Sequence, residues 1–248
     1  MNDAVDALRE LHRKRQDFHS AEKRMTLQIK AICRRFCDGD KDEASVLYAA
    51  AVEGKGEHPQ ALRCTSWLAP MLQARELMEG QRKAVEKQME SRAKALPVAE
   101  WVKGVKGFGI GSLAAIVGEA GDLSGYETHS KLWKRMGLAV MSDGRQRRVT
   151  GDAALEHGYC ASRRSIMWNV GQCVFKSQSQ RIDKATGEIK AEAGIYRRIY
   201  DDRKAYEADR VETKAHAHNR ATRYMEKKLL RDLWRVWRAG EHGVGALP

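Results

Sequence analysis

A seam of apolar residues over the first 36 positions constrains this chain more than any other feature. Ala4, Leu8, Leu11, Arg15, Phe18, Glu22, Met25, Ile29, Ile32 and Phe36 follow alternating steps of four and three, and eight of the ten are apolar. The positions between them are largely charged. Such a repeat describes a long helix that buries one stripe, in a coiled coil or a helical hairpin. Arg15 and Glu22 interrupt the stripe, so they either weaken it or set its register. Asp38-Gly39-Asp40 breaks the helix. A short helix is expected from Asp40, an N-cap candidate, to Gly54, a C-terminal glycine. After a loop from Gly54 to Pro59, a second long helix is expected from about Gln60 to Leu96, with Leu68, Met71, Met78, Val85, Met89 and Leu96 as its stripe. Pro70 must kink it or mark its true start, and Pro97 ends it. Residues 1–96 therefore read as a helical hairpin or coiled coil for dimerisation or spacing.

Composition narrows the partners. The 248 residues carry 45 Lys+Arg against 33 Asp+Glu, a formal charge of +12. An excess of that size points first to nucleic acid, with a generically basic surface as the bland alternative. The longest apolar runs, Leu47–Val52 and Leu113–Val117, fall far short of the roughly 20 residues that span a bilayer. The amphipathic N-terminus does not resemble a signal peptide. The five cysteines (Cys33, Cys37, Cys64, Cys160, Cys173) are scattered and include no Cys-x-x-Cys pair. A disulfide scaffold or a structural zinc site is not expected, and a reducing, cytoplasmic, nucleoid-associated setting fits. His216-x-His218 lacks ligand spacing and companions, so no metal or cofactor is expected in this chain.

The texture changes at Trp101. Residues 104–125 hold seven glycines, and residues 131–150 hold six basic residues against one acid, Asp143. One helix is expected from about Asp152 to Phe175, a turn at Lys184–Glu188 between short extended pieces, and closing helices over about 192–208 and 214–238. The expected class is all-α, with at most a small β-turn element. The expected divisions are 1–96, a DNA-binding domain at 97–240 containing a helix-hairpin-helix, and a frayed tail at 241–248.

Three segments could carry chemistry. In Val105–Ala115 an apolar residue, Gly-x-Gly and a small-residue helix form the pattern of a helix-hairpin-helix. Its glycines permit a tight turn, and backbone N–H groups at a helix start suit a phosphate oxygen. Lys103, Lys106, Gly107, Gly109, Gly111 and Ser112 are the candidate contacts, gripping the backbone without reading sequence. A dinucleotide fingerprint would need a preceding β-strand, which is missing here. A plain helix–helix turn is the other alternative. The second segment, Ser142-Asp143-Gly144-Arg145-Gln146-Arg147-Arg148, joins a serine to three arginines. It suits a basic phosphate-binding loop or, with the serine as nucleophile, phosphoryl chemistry. The third places Arg163 and Arg164 early on a helix, as backbone contacts or as solvated charges.

These motifs resemble one family. Gly107–Asp122 is similar to the "G-I-G-P-x-T-A-x-x-L-x-A-E-I-G-D" segment of insertion-sequence transposases related to the Piv-type DNA invertases, which include the bridge-RNA-guided recombinases. Lys131–Ala139, Ser142–Gly144 with Arg147-Arg148, Gly158 with Arg163-Arg164, Tyr196–Tyr206 and Arg220–Trp237 resemble later segments in the same order. The resemblance covers residues 95–238, the family's C-terminal domain, and implies helical DNA binding with Ser142 aligned to the catalytic serine. The family pairs that serine with an N-terminal RuvC-like domain carrying four acidic metal ligands, and nothing here resembles that domain. The resemblance thus implies a DNA-binding protein of mobile-element or phage origin in transposition or recombination, unable to cut alone. A divalent metal would enter only through a partner's acidic site. Duplex DNA is the expected partner, RNA is a second, and a homodimer or higher assembly forms through the coiled coil. Two alternatives stay open: a serine transposase completed by a partner chain, and a basic helical RNA-binding or scaffold protein.

Overall fold

The computed structural model describes residues 2–241, with side chains from 3 to 240. The tail expected to fray therefore lies outside the described residues. The protein is mostly helical, as the sequence predicts. It divides into two compact units, residues 11–88, and residues up to 10 together with those from 89 onward. The division falls at 88/89, not at the expected 96/97, and the start of the first helix belongs with the later residues.

Within residues 11–88 lie most of α1 (Asn2–Phe36) and α3 (Ala61–Lys94), with α2 (Lys41–Glu53) between them. Asp40 caps α2: its Oδ1 accepts the N–H groups of Asp42 and Glu43, each at 2.8 Å. Gly54 closes α2 in the left-handed region at φ 64°. Ile29, Ile32 and Cys33 of α1 and Cys37 just after it pack with Ala44 and Leu47 of α2 and with Cys64 and Leu68 of α3. The two interruptions of the seam find partners on α3. Arg15 Nε donates to Glu86 Oε1 at 2.8 Å, and Arg82 Nε donates to Glu22 Oε2 at 2.7 Å. Arg82 Nη1 also reaches Glu86. A four-residue ionic layer thus fixes the register of α1 against α3 within residues 11–88. Pro70 lies inside α3, which starts at Ala61.

In the second unit, α4 (Ala99–Gly104), α5 (Ile110–Ala120), a 3-10 turn at Leu123–Gly125 and α6 (His129–Arg135) come first. A minimal hairpin follows, pairing β1 (Val140–Met141) with β2 (Gly144–Arg145). Next are α7 (Ala153–His157), α8 (Ala161–Ser177), the pair β3 (Arg181–Ile182) and β4 (Ile189–Ala191), α9 (Ile195–Ala208) and α10 (Lys214–Glu241). The single helix expected over 152–175 is two helices. Gly158, at φ 53°, closes α7 in the left-handed region, and the chain restarts as α8.

The long helix α10 is the spine of this unit and packs on α6, α8, α9 and the 3-10 turn. Ala217, Ala221, Met225, Leu229, Leu233 and Trp237 recur every four residues and are buried, with Leu230 beside them, the spacing of one helical face. Three indole N–H bonds pin its partners. Trp237 donates to Asp122 Oδ1, Trp234 to the Tyr126 carbonyl and Trp133 to the Lys227 carbonyl, each at 3.0 Å. These bonds set the rotation of α10, and hence which of its basic residues face α8.

Candidate nucleic-acid interface

The segment leaving β2 buries one side chain among three exposed arginines. Gln146 turns inward and is 1% exposed, while Arg145, Arg147 and Arg148 turn outward. Gln146 is held on both ends of its amide. Nε2 donates to the carbonyls of Lys134 and His157, and Oε1 accepts the Ala139 N–H. This buried amide anchors the arginine run. The imidazole of His157, also buried, accepts the Arg147 N–H through Nδ1 at 3.3 Å and faces Asp143 with Nε2 at 3.3 Å.

The arginine run forms one wall of a cavity of about 490 Å³. The first two turns of α8 bring Arg164 and Trp168, and α10 brings Asn219, Thr222 and Arg223. Five arginines (145, 147, 148, 164 and 223) therefore line one concave surface. Beneath them Glu226 is fully buried. Arg164 Nη2 lies 3.0 Å from Glu226 Oε2, while Arg164 Nη1 is buried with no hydrogen-bond partner among the described residues. Burial pushes the Glu226 carboxyl up to about 7, against the pull of Arg164 and Arg223. Burial also lowers Arg223, and Arg164 adds to that. Gly171 of α8 makes the space: a Cβ there would stand 2.6 Å from Glu226 Oε1. One buried acid against five guanidinium groups leaves a strong positive field. Planar, multi-donor arginines suit phosphate oxygens. Nothing in the cavity supplies a nucleophile beside a base.

The structure brings Arg145, Arg147, Arg148 and Arg164 together, but not Arg163. Arg163 Nε donates to Glu119 Oε1 at 2.6 Å, and Arg135 Nη2 lies 3.4 Å from the same oxygen. Arg163 is thus an internal ion-pair residue, a correction to its reading as a backbone contact. Arg223 was missed. It sits among many basic residues of the closing helix, and only the rotation of α10 selects it.

The hairpin α4–turn–α5 exists, but its residues separate in role. Gly107, at φ 86°, faces the interior: a Cβ there would stand 2.7 Å from the Cys173 carbonyl oxygen and 2.8 Å from Val174 Cα. Its glycine is required by packing on α8. Phe108 is buried edge-on to Trp101 at 6.1 Å. Gly109 is exposed, with nothing within 4 Å of a would-be Cβ. The N–H groups of Ser112 and Leu113 return to its carbonyl. Beside Gly111 stands an acid, with Glu90 Oε1 3.0 Å from a would-be Cβ. Lys103 pairs with Glu100 at 2.6 Å, and Lys106 is exposed. Of the hairpin candidates, Lys103, Lys106, Gly109 and Gly111 are exposed and Ser112 is half-buried.

Ser142 occupies the exposed two-residue turn between β1 and β2. Among the described residues no base hydrogen-bonds to its Oγ. Its neighbour Asp143 is occupied by Arg147 at 2.8 Å and by His157.

In residues 11–88, Cys37, Glu43 and His58 bring ligand-type atoms within 4.8 Å of one another. The Gln60 N–H donates to His58 Nδ1 at 3.1 Å. The ring proton of the neutral imidazole is then on Nε2, facing Glu43 at 3.4 Å. Nearby, Cys33 and Cys64 lie 3.9 Å apart, and burial pushes the Cys33 thiol up to about 12.

Compared with protein-family models, with curated proteins and with solved structures, the chain finds no match.

Proposed function

We propose that this protein binds nucleic acid, duplex DNA in the first place, through the arginine cavity between the β2 strand, α8 and α10. The observation that carries the proposal is the convergence of five arginines, from segments up to 78 positions apart, on one surface. A merely basic exterior would scatter such charges. The net charge of +12 supports the same reading, since phosphate contact dominates affinity for nucleic acid. The resemblance of residues 95–238 to a transposase C-terminal domain supports a role in DNA transposition or recombination. Strand cleavage by this chain alone is not part of the proposal, because Ser142 stands on an exposed turn without a base beside it.

The test is fluorescence anisotropy with a labelled duplex from 50 to 300 mM salt. The proposal requires binding whose logarithm falls steeply and linearly with the logarithm of salt concentration. Salt-independent binding, or no binding at 50 mM salt, contradicts it.

A further inference from the structure

We infer that the arginine cavity takes an unpaired nucleotide, with its phosphate on the arginines and its base stacked on Trp168. The inference rests on the nucleic-acid reading above and goes further, to the state of the strand. It starts from the six tryptophans. Trp133, Trp234 and Trp237 each donate an indole hydrogen bond inside the fold. Trp101 packs on Phe108 and Trp67 on Phe36. Trp168 has no indole hydrogen bond, ring partner or cation partner among the described residues. It is 51% exposed and lines the cavity. A large apolar ring is thus left half in water beside guanidinium groups.

Position supplies the rest of the argument. Trp168 follows Arg164 by four residues on α8, so the two share one helical face. A phosphate held at Arg164 and Arg148 leaves the attached base within reach of the indole. Across the cavity Asn219 is exposed, and its amide has no partner among the described residues. It offers both a donor and an acceptor to a base edge. The cavity, at about 490 Å³, lies inside the range of about 300–1,000 Å³ typical of small-molecule sites. Base pairs inside a duplex hide their faces in the stack, so only an unpaired, gapped or flipped nucleotide can lay a base on Trp168. Stacking and phosphate contact are common to ribose and deoxyribose strands, and the experiment separates them.

The experiment measures the affinity of the full chain for a labelled 12-mer of dT, the same length of rU and a blunt 12-bp duplex, all at one salt concentration. Wild type is compared with Trp168→Ala, Trp168→Phe and Arg148→Ala. Binding of the single strands as well as of the duplex is expected. Trp168→Ala should weaken single-strand binding by roughly 5- to 150-fold, the range seen when an aromatic stacking platform is removed. Duplex binding should stay within about twofold, Trp168→Phe should restore most of the loss, and Arg148→Ala should weaken both substrates. A preference for dT or for rU assigns the strand, and either result supports the site. If Trp168→Ala leaves single-strand binding unchanged, or weakens duplex equally, the stacking site is overturned while backbone binding stands. If wild type binds none of the three, the nucleic-acid reading fails and takes this inference with it. Circular dichroism of each variant shows that the fold is retained.

Discussion

Replacing Gly107 by alanine tests the reasoning that divides the glycines of the α4–α5 turn by role. At φ 86°, a residue with a Cβ is strained by about 1–3 kcal/mol. The new methyl would also stand 2.7 Å from the Cys173 carbonyl oxygen, 2.8 Å from Val174 Cα and 2.8 Å from Ser177 Cβ. Two of these three atoms are backbone of α8, so no rotamer change clears them and the helices must separate. Overpacking of this kind costs about 1–3 kcal/mol. The sum is about 2–6 kcal/mol, against a whole-domain stability of about 5–15 kcal/mol. Gly109, two residues on, has φ −85° and open space around it. Its change to alanine weakens only an N-cap position, by less than about 1 kcal/mol. Urea unfolding followed by far-UV circular dichroism, with amide exchange read in α5 and α8, measures both variants. A Gly107→Ala stability within about 0.5 kcal/mol of wild type would refute the close approach, since an ordinary exposed substitution does no more than that. Gly109→Val, which the fold tolerates, then becomes the clean probe of phosphate contact at the hairpin.

Removing Arg82 leaves Glu22 and Glu86 with only Arg15 between them. These side chains are 18–31% exposed, so Arg82→Ala should cost about 1–2 kcal/mol in urea unfolding, less than for a fully buried pair. Glu226 holds its proton up to about 7 in the folded state. The folded chain thus binds more protons than the unfolded one between the ordinary carboxyl range and pH 7, and this group's contribution to stability falls as pH rises through that window. Glu226 faces Arg164 of α8 and Arg223 of its own helix, and deprotonation adds a negative charge beneath the cavity. Nucleic-acid affinity should therefore weaken as pH rises from 6 to 8, and Glu226→Gln should flatten that slope. In a timed iodoacetamide reaction at pH 8 read by mass spectrometry, exposed Cys173 and half-buried Cys160, whose thiol, against the upward push of burial, is lowered by hydrogen bonds to Ser162 and Arg163, should be modified first. Cys33, Cys37 and Cys64, buried with thiols pushed upward, should be modified last.

The parts of the fold that were legible in the sequence are those fixed by neighbours along the chain. Asp40 and Gly54 bound α2 because a cap needs only a carboxylate two or three residues before its N–H groups and a residue tolerant of positive φ after the last turn. The stripe from Ala4 to Phe36 predicted α1 for the same reason. What the sequence hid depends on partners far along the chain. Arg15 and Glu22 look like faults in the seam until Glu86 and Arg82, 71 and 60 residues away, come opposite them. Gly158 broke a helix that apolar spacing carried straight through. Gly107 and Gly109 are alike on paper, yet one lies against the backbone of α8 and the other is open. Arg163 and Arg164 are adjacent, but a helix turns them roughly 100° apart, toward Glu119 and toward the cavity. Arg223 is one of seven basic residues in its stretch of α10. Its Nη2 donates to the Gly137 carbonyl at 3.0 Å, a partner 86 positions away that holds it at the cavity.

The most direct test of the central claim is the salt dependence of duplex binding in Arg145→Ala/Arg148→Ala beside wild type. Both arginines are exposed and, among the described residues, have no ion-pair partner, so their removal leaves the fold unchanged. Each phosphate contact contributes about 0.9 to the slope of log affinity against log salt, so the double variant should lose about 1.8 from that slope as well as affinity. Arg34→Ala/Arg35→Ala, which removes the same charge from residues 11–88, should leave the slope as it was. Equal slopes for wild type and the Arg145/Arg148 variant would contradict the account, because the arginine cavity would then not be where the phosphates bind.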